Sequence, residues 1–270
     1  MKKLILLLAL FLCASNTNAQ TDNYVDTNGV KIYYEVHGEG EPLLMLHGFA
    51  VSGKLWSAWI DDLSKKYKLI IPDLRGHGNS TNPSEVFTHK LAANDMCGLM
   101  DHLKIDRFKA IGYSSGAMTL IHMATMDTTR ISSMIFIGGT PYFTVEANAG
   151  QVAASYEYWK GFMEPLQPRG EQQIRMLIKQ FNDMATNVDD MNFTAPYLAT
   201  ITCPTLIIHG DRDEYFDIDV PVSMYKAIPN AYLWVIPKGA HDPIGLFDKK
   251  SIWSDMMIKV LDEFYDGKWK

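Results

Sequence analysis

A serine between two glycines stands where an apolar run gives way to a helical pattern. The segment reads Gly112-Tyr113-Ser114-Ser115-Gly116. The spacing G-x-S-x-G between a strand and a helix is a nucleophile elbow, a sharp turn that exposes the serine hydroxyl. The glycines give neighbouring backbone room at this turn, and the start of a helix favours developing negative charge. The segment therefore predicts nucleophilic catalysis by Ser114.

A serine hydroxyl is a weak nucleophile and needs a neighbouring base to activate it. The chain offers eight histidines. His89, His102 and His122 lie in helical patterns, where we expect them at the surface. His241 stands apart, because it lies in a loop directly after the last strand pattern. The pattern alone leaves several of these histidines as candidate bases.

Seven short segments predict strands, the first by alternation of apolar and polar residues and the others as continuous apolar runs, and helical patterns separate most of them. The strand patterns cover residues 30–36, 43–46, 67–71, 108–112, 134–137, 205–208 and 232–236. The helical patterns cover residues 55–66, 88–103, 115–127, 219–228 and 249–264. Continuous apolar strands that alternate with helices are typical of an α/β fold with a mostly parallel sheet.

One long stretch interrupts this alternation. Residues 141–196 show no strand pattern, are rich in aromatic side chains and contain an amphipathic helical pattern at 172–181. We interpret the stretch as a helical cap inserted between two strands. The predicted core then comprises residues 20–140 and 197–270.

Four motifs, in order along the chain, resemble those of the α/β-hydrolase family. Residues 47–49 read H-G-F, residues 73–80 read D-L-R-G-H-G-N-S, the elbow follows at 112–116, and residues 239–241 read G-A-H. Each motif follows a predicted strand. The resemblance covers nearly all of the chain beyond its first residues. It implies a mostly parallel, doubly wound sheet with a helical cap.

The resemblance also implies the remaining catalytic roles. In this family the chain order is nucleophile, acid and then base, which makes His241 the base. The acid lies after the penultimate strand, three residues beyond a glycine, and that spacing selects Asp213. Asp211 competes for the role, but we expect it to fix the turn through backbone N–H groups. We expect Glu214 to be solvated.

A developing oxyanion needs two main-chain donors. The N–H of Ser115, directly after the nucleophile, is one expected donor, and the resemblance of the H-G-F segment implies the N–H of Phe49 as the other. We expect a largely apolar substrate pocket, because the cap and the strand-end loops are rich in aromatic residues. The expected pocket residues are Tyr113, Tyr142, Trp159 and Phe216.

A serine at the elbow predicts acyl-enzyme chemistry, whereas family members that open epoxides or remove halides carry aspartate there. The first hypothesis is hydrolysis of a small carboxylic ester, with no metal or organic cofactor. A second is an aminopeptidase similar to proline iminopeptidases, in which Glu146, Glu157 or Glu164 would grip the substrate amine. The other two are a carbon–carbon bond hydrolase and a non-catalytic protein that binds small molecules. The sequence leaves the oligomeric state open.

Composition excludes several other classes of protein. The chain has 270 residues, of which 47% are hydrophobic and 21% charged, and its formal net charge is −6. These values are ordinary for a globular protein. No basic run is present, so we expect a small-molecule substrate and no nucleic-acid partner.

Residues 1–19 have the parts of a secretory signal peptide. Two lysines precede nine apolar residues at 4–12, and Ala19 offers a small residue for cleavage. The apolar stretch is too short to span a bilayer. We therefore expect export to the periplasm or medium, with no stable membrane insertion after cleavage. Lipid attachment at Cys13 is disfavoured, because Leu12 stands where a small residue is expected.

Overall fold

The structure is a computed structural model that describes residues 23–143, 154–184, 187 and 189–269. The predicted signal peptide at 1–19 and its cleavage site lie outside the described residues. So do Glu146 and residues 144–153 of the predicted cap.

An eight-stranded sheet forms the centre of the molecule. Its strands are β1 (Asn23–Thr27), β2 (Val30–His37), β3 (Glu41–Leu46), β4 (Tyr67–Pro72), β5 (Phe108–Tyr113), β6 (Ile131–Ile137), β7 (Thr205–Gly210) and β8 (Ala231–Ile236). The strand order is β1-β2-β4-β3-β5-β6-β7-β8. β2 pairs antiparallel with β1 and β4, and the other neighbours are parallel. The predicted mostly parallel sheet is confirmed.

β1 is the strand that the apolar runs do not predict. Val25 is its single buried residue, so it carries no apolar run. A two-residue turn with positive φ joins β1 to β2, with φ of 46° at Asn28 and 76° at Gly29. Asn-Gly is the preferred pair for such a hairpin. The Asn28-Gly29 dipeptide was therefore the sequence signal that could have predicted β1.

Helices cover both faces of the sheet. A 3₁₀ helix (Gly53–Trp59) precedes α1 (Ile60–Leu63), α2 (His89–His102), α3 (Ser115–Met126), α4 (Tyr156–Met163), α5 (Glu171–Met184), α6 (Ala195–Leu198), α7 (Asp219–Ala227) and α8 (Ile252–Tyr265). Buried side chains of α2, α3 and α7 pack on one face, and those of the 3₁₀ helix, α1 and α8 pack on the other. No helix in the described part of the chain has the length and apolar character that crossing a bilayer requires.

α4 and α5 lie in the connection between β6 and β7, and two buried glutamines tie this region to the core. Gln167 donates to the carbonyls of Ala50 and Val51, both at 3.0 Å, and accepts from the Gly78 N–H at 2.8 Å. Gln173 donates at 2.8 Å to the Gly76 and Gly78 carbonyls. With the bonds from Arg169 to the Gly76 and Gly78 carbonyls at 3.0 and 3.4 Å, they satisfy the irregular backbone of these loops.

The loop that follows β4 is fixed by buried charged groups. Arg75 donates to both carboxylate oxygens of Asp95 on α2, at 2.7 and 2.8 Å. Asp73 accepts from the N–H groups of Gly53 and Asn79 at 2.7 and 2.8 Å. Burial raises the pKa of Asp73 to about 6, although these two bonds act to lower it. Together the two carboxylates hold the loop against the strand ends.

Removing one partner of the buried Arg75–Asp95 pair should destabilise the protein strongly. Asp95→Ala leaves a guanidinium buried without its carboxylate, which costs about 3–5 kcal/mol of unfolding free energy. Asp101→Ala on the same helix is the matched control, because Asp101 is 67% exposed and pairs with Arg130 at 2.8 Å. Loss of a carboxylate this exposed costs at most about 1 kcal/mol, because water replaces it at the guanidinium. Urea denaturation measures the free energy of unfolding of both variants. An equal decrease in the two variants would contradict this prediction.

Two helix histidines expected at the surface are buried instead. His89 has no exposed surface and His122 is 7% exposed, whereas His102 is exposed. Asp190 covers both rings: its carboxylate lies 2.7 Å from His89 Nδ1, and its carbonyl accepts from His122 Nε2 at 2.7 Å. The helical pattern does not reveal this burial, because the covering residue lies far away in the chain.

Burial of His122 should make the protein less stable in acid. Burial lowers its pKa from 6.5 to about 4, so between these values the unfolded chain binds a proton that the folded protein does not. The contribution of neutral His122 to the free energy of unfolding is complete above about pH 6.5 and is lost as the pH falls toward 4. In His122→Gln, whose amide still donates to the Asp190 carbonyl, the decrease in Tm from about pH 7 to 5 should be smaller. An equal decrease in Tm for the parent protein and the variant would contradict this explanation.

Candidate active site

Ser114 occupies a strained turn between β5 and α3. Its φ is +51°, a region that residues other than glycine rarely adopt. A Cβ on Gly112 would lie 2.7 Å from the Ala117 nitrogen, and a Cβ on Gly116 would collide with the Leu46 carbonyl oxygen. Both positions therefore require glycine. The strain is local and is held by the packing of α3 against β3 and β5.

His241 joins Ser114 to Asp213 by hydrogen bonds. His241 Nε2 lies 3.0 Å from Ser114 Oγ, and His241 Nδ1 lies 2.9 Å from Asp213 Oδ2. Asp213 follows β7 and His241 follows β8, so neighbouring parallel strands bring them to the same edge of the sheet. A carboxylate only accepts, so Nδ1 carries the proton and Nε2 accepts from the serine hydroxyl. The structure thus brings together the three residues that the sequence analysis selects.

Asp213 is held as a carboxylate. Its other oxygen, Oδ1, accepts from the N–H groups of Tyr215 and Phe216 at 2.9 and 3.1 Å. Burial alone would raise its pKa, but the hydrogen bond and charge of His241, together with the backbone bonds, leave the pKa below its ordinary value. Ionised Asp213 can stabilise an imidazolium at His241.

Two expectations for the Asp213 loop are wrong. Asp211 does not fix the turn: its Oδ1 is buried without a partner among the described residues, and Asp213 receives the backbone bonds instead. Glu214 is not merely solvated, because its Oε2 accepts from the His241 N–H at 3.1 Å. Asp211 differs because the turn places Asp213 over the following N–H groups, and Glu214 differs because the loop after β8 brings the His241 N–H to it.

The two residues expected to supply oxyanion donors, Phe49 and Ser115, line the same cavity as Ser114. Within the described chain, neither the Phe49 nor the Ser115 N–H donates a backbone hydrogen bond outside regular elements. The first N–H groups of a helix also lack intrahelical partners, which leaves that of Ser115 free. A pair of free donors flanking a nucleophile can stabilise negative charge on a bound oxygen.

His47 holds the peptide that carries the Phe49 N–H. The Leu74 N–H donates to His47 Nε2 at 2.9 Å, so Nδ1 carries the proton and donates to the Gly48 carbonyl at 2.6 Å. Burial lowers the pKa of His47 to about 4, and the ring is neutral near pH 7. In a planar trans peptide, C=O and N–H point in opposite directions. Fixing the Gly48 carbonyl therefore fixes the direction of the Phe49 N–H.

A cavity of about 340 Å³ opens above Ser114. Tyr113, Trp159 and Phe216, three of the expected pocket residues, lie on its wall together with Ser114, Ser115, His241 and Phe49. The wall also contains apolar side chains that the sequence analysis did not select: Met118, Phe143, Phe162, Phe181, Met184 and Phe247. An apolar cavity with a few polar groups suits a small organic ligand.

Tyr142, the fourth expected pocket residue, lies outside the cavity. It is 38% exposed and forms an isolated β-bridge with Asn192. Successive residues in an extended segment point to opposite sides, so the next residue, Phe143, lines the cavity instead. The aromatic composition of this segment was informative, but the direction of each side chain was not readable from the sequence.

The described residues contain no group of three or more His, Cys, Asp or Glu side chains suited to holding a metal ion.

Comparisons with known proteins find hydrolases among the proteins similar to this chain. The serine hydrolase BPHL of Mus musculus is 27% identical over 236 residues, which are 83% of this chain and 81% of that protein. A pimeloyl-(acyl-carrier protein) methyl ester esterase of Legionella pneumophila is 25% identical over 253 residues, 87% of this chain and 99% of that protein. A solved structure of a meta-cleavage product hydrolase from Pseudomonas fluorescens has a TM-score of 0.74 at 22% identity, and the match covers 91% of this chain and 98% of that one.

The family assignment rests on a sequence model as well as on these relatives. The model of the alpha/beta hydrolase fold matches residues 41–175, which are half of the chain. The matched segment contains the H-G-F element, the loop after β4 and the elbow. The chain therefore belongs to the alpha/beta hydrolase fold family, and it is a hydrolase.

Proposed function

We propose that the protein is a serine esterase that hydrolyses small, largely apolar carboxylic esters through an acyl-enzyme. One observation carries the proposal: the hydrogen-bonded series Asp213–His241–Ser114 ends in a mostly apolar cavity. The relative from Legionella pneumophila, which is named as a methyl ester esterase, supports the same reaction class. The predicted signal peptide supports an action after export.

The proposed reaction begins with attack of Ser114 Oγ on the ester carbonyl carbon. His241 Nε2 takes the hydroxyl proton, and Asp213 stabilises the resulting imidazolium. The N–H groups of Phe49 and Ser115 stabilise the oxyanion of the tetrahedral intermediate. His241 then gives its proton to the leaving alkoxide, which departs as the alcohol. Water, deprotonated by His241, releases the acid and restores Ser114.

The contacts of the cap acids do not favour the aminopeptidase hypothesis. Glu157 lies on the surface and pairs with Lys160 at 2.6 Å, and Glu164 is exposed. Neither lines the cavity. Among the described residues, the aminopeptidase hypothesis needs Glu157 or Glu164 to bind the substrate amine. Neither carboxylate is placed to contact an amine bound near Ser114.

Ser114→Ala should abolish ester hydrolysis. The purified protein is assayed with p-nitrophenyl esters from acetate to decanoate, and with a proline anilide in parallel. Loss of the nucleophile should lower kcat by at least about 10⁴-fold, because the imidazole then has no hydroxyl to activate. Ser133→Ala is the matched control, since it removes a buried hydroxyl on β6 that does not line the cavity.

Three outcomes would contradict the esterase proposal. The first is turnover of the anilide without turnover of esters. The second is ester turnover that survives in Ser114→Ala. The third is a folded parent protein that hydrolyses none of the esters, which would favour a carbon–carbon bond hydrolase or a binding protein.

His47→Leu should lower kcat with little change in KM. Leucine cannot hold the Gly48 carbonyl, so the Phe49 N–H loses its fixed direction, and losing one oxyanion donor costs about 10²-fold or more. His47→Asn is the matched variant, because its amide can still donate from nearly the position of Nδ1. Kinetics with the best ester and thermal unfolding of both variants measure the effect. Equal kcat values in the two variants would show that His47 does not position the donor.

A further inference from the structure

A second series of Ser, His and Asp side chains reaches the cavity beside Ser114. His89 Nδ1 lies 2.7 Å from Asp190 Oδ2, and His89 Nε2 lies 3.1 Å from Ser115 Oγ. All three residues are buried within the protein. Ser115 and His89 also line the cavity, which the proposed mechanism does not explain. The side chain of Ser115 has no part in that mechanism, since only its N–H is used there.

Asp190 is fixed as a carboxylate at the start of α2. Its two oxygens accept from the N–H groups of His89 and Lys90 at 2.8 and 3.1 Å, in addition to His89 Nδ1. Burial acts to raise the pKa of Asp190, but the bonds and charge of His89 and the backbone bonds lower it below its ordinary value. The N-terminus of a helix also favours a negative charge.

The ionised carboxylate sets the direction of each bond in the series. Because it only accepts, His89 Nδ1 carries a proton and donates to Asp190. In the neutral ring Nε2 then accepts, and the Ser115 hydroxyl donates to it. Ser115 Oγ keeps its acceptor lone pairs. The oxygen therefore offers an acceptor, rather than a donor, to a molecule in the cavity.

Much of the cavity wall is apolar, so Ser115 Oγ is one of few polar atoms there. Met118, Met184 and Phe143, whose ring lies 6.2 Å from that of His89, offer no strong hydrogen-bonding group, and the acidic residues of the wall, Glu214 and Asp242, come from the loops after β7 and β8. Ser115 directly follows the nucleophile, and consecutive Cα atoms lie about 3.8 Å apart. Both serines line the same cavity, so a substrate that acylates Ser114 can present a polar group on the near part of its acyl chain to Ser115 Oγ.

We propose that Ser115 Oγ, oriented by His89 and Asp190, accepts a hydrogen bond from a hydroxyl at C2 or C3 of the substrate acyl group. The substrate class is then a short hydroxyacyl ester whose remaining chain is apolar. This inference rests on the proposed esterase function and narrows it.

The test compares paired substrates that differ in one donor. The parent protein is assayed with p-nitrophenyl 2- and 3-hydroxybutanoate and with the corresponding methoxybutanoates, which keep the oxygen but cannot donate. One isomer pair should show a preference for the hydroxyl of about three- to tenfold in kcat/KM, the value of one neutral hydrogen bond. Ser115→Ala should reduce that ratio to about one; because both esters of a pair are compared within the same variant, the ratio is independent of any change in its overall turnover.

Two further variants separate the hydrogen bond from general damage to the site. Thr119→Val removes another buried hydroxyl of α3, one that donates to the Ser115 carbonyl at 2.8 Å and does not line the cavity. It should keep the preference for the hydroxyl. His89→Gln should also keep the preference for the hydroxyl, because the glutamine amide can donate to Asp190 and accept from the Ser115 hydroxyl.

Equal turnover of both members of each pair by the parent protein would overturn the inference, and so would a preference that survives in Ser115→Ala. Turnover that survives in Ser114→Ala but is lost in Ser115→Ala would show instead that Ser115 is a nucleophile. Failure of the esterase proposal is distinguishable, because it removes turnover of the plain butanoate ester as well. In that case the subsite is tested by binding. The methyl esters of the same hydroxy and methoxy acids are titrated into Ser114→Ala protein and followed by NMR. Stronger binding of the hydroxy esters supports the subsite, and equal binding overturns it.

Discussion

The close approach of α3 to the ends of β3 and β5 is the constraint on which the site depends. Gly116 touches the Leu46 carbonyl, and any Cβ there would collide with it. This contact presses the helix start against the strand ends and holds Ser114 at a positive φ. The same contact sets the Ser115 N–H beside the loop that carries Phe49. One packing constraint thus positions the nucleophile and both candidate oxyanion donors.

Buried polar bonds transmit that constraint to the surrounding loops. His47 joins the loop after β3 to Leu74 in the loop after β4, and Arg75 joins the latter loop to Asp95 on α2. Gln167 then joins the α4–α5 region to the same backbone. Each group is buried, so its loss leaves a partner without water to replace it. The rigid placement of the strand-end loops follows from this continuous set of bonds.

Local sequence signals were sufficient for seven of the eight described strands and for the nucleophile. Apolar runs identify buried parallel strands because both faces of these strands are covered, and the elbow glycines report a close backbone approach. β1 was not predicted, because an edge strand with one buried residue has no apolar run, although Asn28-Gly29 indicated its hairpin. The burial of His89 and His122 was not readable, because Asp190 covers them from about 70 to 100 positions away in the chain. Phe143 was missed in favour of Tyr142 for a different reason: the direction of a side chain in an irregular segment depends on tertiary packing.

The central claim is that Ser114, activated by His241, becomes covalently acylated. The most direct measurement is mass spectrometric peptide mapping after reaction with an organophosphate such as diethyl p-nitrophenyl phosphate, which forms a stable adduct with an activated serine. We expect one adduct, on Ser114, and no adduct when His241 is replaced by alanine. An adduct on another residue, or an unmodified Ser114 in folded protein, would contradict it.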